Sequence, residues 1–131
     1  MKIHAFRLTR GMDLKKNIEQ YVIDKNIKSG VVLSAVGCLY QICLRAAGGE
    51  KVETIIDNYE IVSITGTLSV DGCHLHLSAS DVDFKTIGGH LKDNCLVDTT
   101  AEIVLAEFEN LEFSREFDGN TGYEELTIKE I

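Results

Sequence analysis

Residues Gly66 to Leu91 read Gly-Thr-Leu-Ser-Val-Asp-Gly-Cys-His-Leu-His-Leu-Ser-Ala-Ser-Asp-Val-Asp-Phe-Lys-Thr-Ile-Gly-Gly-His-Leu, and they hold His74, His76 and His90, three of the four histidines in the chain. Asp71-Gly72 stands between two alternating runs, Ile61 to Val70 and Cys73 to Ala79. Asp-Gly suits a two-residue type I′ hairpin turn, whose central residues both need positive φ. A turn there sets Val70 opposite Cys73, and then Ser69, Thr67 and Thr65 opposite His74, His76 and Ser78. Side chains alternate across a strand, so the last three pairs share one polar face. Ile64, Leu68, Val70, Cys73, Leu75, Leu77 and Ala79 collect on the other, which is the apolar core face.

His90 joins the pair through a second hairpin around Asp83-Phe84-Lys85. A three-residue loop sets it opposite Ser78 and diagonal to His76, within about 7–8 Å between backbones. A two-residue loop turns it to the apolar face instead, and Gly88-Gly89 offers a bulge that would re-aim it. Three neutral imidazoles suit zinc or a similar divalent transition metal and leave a tetrahedral ion one open position. Histidines on a polar sheet face serve equally well as hydrogen-bonding surface or interface groups. Cys73 points to the opposite face from His74 and is not counted as a ligand.

Working outward, His4 to Thr9 is an opening strand, Gly11 breaks it, and Asp13 is an N-cap for a helix. Leu14, Ile18, Tyr21 and Val22 recur on one face of that helix, which reaches about Asn26 and packs on the apolar side of the sheet. Val31 to Val36 reads as a buried strand, with Gly37 interrupting before Leu39 to Ala46 resumes. Gly48-Gly49 is a turn, Glu50 to Ile56 a short strand, and Asn58 separates it from the strand entering the histidine hairpin. From Asn94 to Phe108, Cys95, Val97, Thr99, Ala101, Ile103 and Leu105 face one way, and Asp98, Thr100 and Glu102 the other. If this strand borders the hairpin, Glu102 or Asp98 orients a ligand imidazole or takes a proton from metal-bound water; otherwise they are solvated surface charges. Asp118-Gly119-Asn120 is a turn, and Glu124 to Ile131 a last, edge strand.

The chain has 131 residues, 44% of them hydrophobic, which predicts a single domain over residues 1–131 with a real core. No apolar run is long enough for a signal peptide or a membrane span, so a soluble, cytoplasmic protein is expected. Its four cysteines, at 38, 43, 73 and 95, have no close-spaced framework and read as free thiols. A formal net charge of −8 disfavours direct DNA binding, which draws on Lys and Arg to neutralise phosphates. Phosphate-loop, dinucleotide and nucleophile-elbow patterns are absent.

The series Gly66-Thr-Leu-Ser, Asp71-Gly72, His74-Leu-His76, Ser80-Asp81 and Gly88-Gly89-His90-Leu91 resembles the PPC domain, the plants-and-prokaryotes conserved domain that accompanies AT-hook motifs in plant nuclear proteins. Arg7-Leu8, Gly11, Asp13-Leu14 and Thr100-Ala101-Glu102 fit the same pattern. The resemblance implies a compact α/β (α+β) domain with a mostly antiparallel sheet and one main N-terminal helix, assembled as a trimer, with His74, His76 and His90 as a metal-binding unit. The AT-hook that carries DNA contact in the plant proteins needs proline, and this chain has none. The expected function is a metal-binding, self-associating regulatory or interaction module. The alternative is a zinc-dependent enzyme that activates water against a small polar substrate, with Glu102 or Asp98 as base.

Overall fold

The computed structural model describes residues 1–131. Its elements run β1 (Lys2–Thr9), α1 (Leu14–Asp24), β2 (Gly30–Arg45), β3 (Val52–Leu68), β4 (His74–Ser80), β5 (Thr86–Leu91), β6 (Leu96–Glu107), β7 (Leu111–Asp118) and β8 (Tyr123–Glu130). Six strands form one antiparallel sheet in the order β1-β6-β2-β3-β4-β5, and β7 and β8 pair as a separate hairpin. The expected α+β class, mostly antiparallel with one N-terminal helix, is the observed one.

β2 is long enough to touch three neighbours. Beyond its pairings with β3 and β6 it meets β5, at Leu44 opposite Leu91 and Arg45 opposite His90. Strands β2, β3, β4 and β5 therefore close into a ring of hydrogen-bonded partners. Leu39, Leu68, Leu75, Leu91, Val97, Ile103 and Leu105 are fully or almost fully buried in one core that also takes Leu14, Ile18 and Val22 of α1. The helix starts as its sequence dictates: the Asp13 carboxylate accepts the Lys16 N–H at 3.0 Å. It stops at Asp24, short of Asn26, which turns left-handed with φ 51° and ends the run.

Two expected interruptions are absorbed into continuous strands. Gly37 lies inside β2, where a Cβ would overlap the Thr100 carbonyl oxygen. It permits a close approach to β6, and the β2–β6 register slips beside it. Asn58 lies inside β3, and the irregularity there is a register shift against Leu39 and Gln41 of β2. Two short sequence-predicted strands are in this way one strand of 17 residues.

Candidate metal centre

The hairpin that carries the histidines forms, with its turn one residue earlier than the Asp-Gly dipeptide suggests. The Ser69 and Gly72 N–H groups each donate to the other's carbonyl, at 3.1 and 3.0 Å, leaving Val70 and Asp71 as the central pair. Contacts from outside hold it there: Val70 N–H donates to the Ile27 carbonyl at 2.9 Å, and the Asp71 carboxylate accepts the Arg115 N–H at 2.6 Å. Thr67 consequently faces His74 and Thr65 faces His76, in place of Ser69 and Thr67. Ser69, expected on the polar face, is buried, and Val70, expected in the core, is exposed in the turn. Both imidazoles still leave the sheet on its polar side while Leu75 and Leu77 enter the core.

The second hairpin also turns one residue early. Asp81 N–H donates to the Lys85 carbonyl at 2.9 Å around Val82, Asp83 and Phe84, whose φ of 65° closes a three-residue loop. The Asp81 carboxylate accepts the N–H groups of Asp83 and Lys85 at 2.9 and 3.0 Å, an Asx turn that stiffens the corner. His90 stands directly opposite His76, not opposite Ser78.

The three rings gather with centroids 4.9, 5.2 and 5.6 Å apart. Nε2 of His74 and Nε2 of His76 are 3.1 Å apart, and one ligating nitrogen from each of the three residues falls within 4.8 Å of the others. Nitrogens bound at about 2.0–2.1 Å to a tetrahedral zinc lie roughly 3.4 Å from one another, so the group closes on an ion with small ring rotations. Nδ1 of His90 is buried without a hydrogen-bond partner, an orphaned polar atom of the kind an ion satisfies. Burial pushes the His90 imidazole down to about 4, with Arg45 and the other two histidines adding to the effect. Burial and the neighbouring His76 lower His74 as well. Neutral imidazoles are the ligating form.

Cys73 sits on the core side, and burial raises its thiol to about 11. It stays protonated and outside the group, as its strand parity requires. All four cysteines are free. His4 is apart from the cluster, buried between Tyr21 Oη at 3.1 Å and a Glu107 carboxylate oxygen at 2.7 Å.

The carboxylates suggested from sequence are not brought to the histidines. β6 lies between β1 and β2, placing Glu102 opposite Arg7 and Val36, and Asp98 opposite Cys38 with an ion pair to Arg10 at 3.3 Å. Their polar face was legible; their strand neighbours were not, because β2 and β3 intervene before β4. The groups that do border the site come from elsewhere. A cavity of about 900 Å³ is lined by His74, His90, Arg45, Arg115, Tyr123 and Glu125, among others. Arg115, Tyr123 and Glu125 arrive on the β7–β8 hairpin.

A ring-closed antiparallel sheet with three convergent histidines defines a small domain built around a metal-competent pocket. The chain belongs to the plants and prokaryotes conserved (PCC) domain family, whose model matches residues 1–109. The chain is 42% identical over 131 residues to the bifunctional protein GlmU of Synechococcus sp. strain JA-3-3Ab, and it spans 21% of that protein's length. Among solved structures it is similar to a hypothetical protein from Salmonella enterica, with 33% identity, a TM-score of 0.94 and coverage of 98% of this chain and 94% of that one. A metal-containing protein from Archaeoglobus fulgidus shares 25% identity at a TM-score of 0.81, covering 97% and 94% of the two chains. No helix is long and apolar enough to cross a membrane.

Proposed function

We infer that the chain is a metal-binding, self-associating module in which His74, His76 and His90 hold one zinc or similar divalent transition ion. The observation that carries this reading is the convergence of one nitrogen from each residue within 4.8 Å, from two strands whose pairing fixes the geometry. The metal content of the Archaeoglobus fulgidus relative supports it. When bound, such an ion supplies a Lewis-acidic position open to an oxygen ligand. This chain's own residues supply neutral imidazoles on a rigid hairpin and a polar cavity above them.

Self-association, as a trimer, is supported by the apolar side chains of Leu33, Val36, Ile56 and Val62, each more than half exposed on β2 and β3. The net charge of −8 favours protein or small-molecule partners over duplex DNA. The test is elemental analysis of protein purified without chelator or affinity-tag metal, alongside His76→Ala, with particle mass from light scattering. About one ion per chain, absent from the variant, is the expected result. A protein that carries no metal and takes up no added zinc overturns the reading.

A further inference from the structure

Two arginines stand at the histidine cavity, and neither Arg45 nor Arg115 makes an ion pair, although three carboxylates share its lining. Arg45 makes no side-chain hydrogen bond, and its guanidinium lies 6.0 Å from the Tyr123 ring centroid. Arg115 donates from Nη2 to Thr67 Oγ1 at 3.1 Å and is otherwise unengaged. They come from separate elements, β2 and β7, and line one cavity with His74 and His90. Asp71, Glu124 and Glu125 also line it, but none of their oxygens lies within 4.0 Å of either guanidinium. Asp71 is already engaged by the Arg115 backbone N–H.

We propose that this cavity is a binding site for a small organic carboxylate, held between the guanidinium groups of Arg45 and Arg115 with its second oxygen directed to the histidine centre. The guanidinium fork matches the planar carboxylate, and the preference for one negative charge is local to the two guanidiniums, since Asp71, Glu124 and Glu125 offset them over the lining as a whole. The glutamates on the same wall repel a dianion about twice as strongly as a monoanion, which favours a carboxylate over a phosphate. A volume of about 900 Å³ accommodates a ligand of several carbons. The Tyr123 ring beside Arg45 offers an apolar surface for its carbon skeleton. The contact at the histidine centre rests on the metal reading above; the arginine clamp does not.

Lactate is the probe, titrated by calorimetry into the whole protein with and without one equivalent of zinc, with inorganic phosphate as the competitor. Arg45→Gln, Arg45→Lys and Arg115→Gln are compared after thermal melts and zinc uptake are measured on each. Lactate binding to wild type that weakens about tenfold in Arg45→Gln and in Arg115→Gln, with zinc uptake and melting unchanged, is the expected result. Arg45→Lys keeps the charge and loses the fork; it also weakens lactate, and it decides the matter if a glutamine variant does not fold. Arginine-dependent lactate binding in a protein that takes up no zinc sustains the clamp and removes the metal contact. No lactate binding, equal binding in the arginine variants, or tighter binding of phosphate overturns the proposal.

Discussion

His76 on β4 and His90 on β5 are direct cross-strand partners, their ring centroids 5.6 Å apart, and the ring of His74, two residues earlier on β4, lies 4.9 Å from the first and 5.2 Å from the second. The cluster therefore depends on pairing between two strands and not on the core beneath them. His76→Ala is expected to abolish metal uptake while changing unfolding free energy by less than about 1 kcal/mol, since the ring is exposed. Zinc at about 100 times its dissociation constant adds roughly 2.7 kcal/mol to wild type alone. Thermal melts of both proteins with and without zinc check this; equal zinc-induced shifts contradict it.

The depressed His90 imidazole sets a pH dependence. Its folded value is about 4 against an ordinary 6.5, so between those limits the unfolded chain takes a proton that the folded chain refuses. Stability of the metal-free protein therefore rises with pH through that window and is fully present above 6.5. His90→Gln flattens this part of the profile, as denaturant titrations at pH 4.5, 5.5 and 7 read it. A parallel slope in wild type and variant assigns the effect to other groups. Metal uptake, on the proposed reading, is expected to fall over the same range, because protons compete for the ligating nitrogens.

Gly89 is adjacent to His90 at the β2–β5 junction, and a Cβ there would lie 2.7 Å from the Arg45 carbonyl oxygen. Gly89→Ala is expected to cost about 1–3 kcal/mol and to weaken metal binding together with stability, because the pairing that aims His90 is forced apart. Gly119→Ala is the matched control: nothing lies within 4 Å of its Cβ position. Equal melts for the two variants contradict the account.

Asp13 caps α1 through one oxygen and accepts the Asn94 N–H through the other at 2.7 Å. Asp13→Ala should destabilise by about 1–2 kcal/mol with zinc stoichiometry intact, since no residue of α1 lines the histidine cavity. Loss of metal from this variant while it remains folded would falsify the independence of the two regions.

Both histidine hairpins turn one residue earlier than their sequences suggest, yet every histidine keeps its expected face. Sliding a turn by one residue changes each cross-strand partner by two positions, and the strand period of two returns each side chain to the same side. Face was therefore legible from Leu75, Leu77 and the residues between them, while exact partners were not. Turn position answered to Ile27 and Arg115, contacts distant in sequence. The order of strands was also beyond local pattern, and with it the true surroundings of Glu102 and Asp98. The same limit hid Arg45 and Arg115, which look like scattered basic residues until the sheet closes and β7 folds over.

That closure has a further consequence. Were β5 the last strand of an open sheet, His90 would ride on the segment most prone to fraying and to capture by a stray strand from another molecule. Its partnership with β2 gives that segment hydrogen-bonded company on both flanks, so separating the three imidazoles requires breaching the ring rather than peeling back an end. The exchangeable amides around His90 should consequently open as slowly as those of the interior, and an ion released from this pocket would leave behind a vessel that keeps its shape.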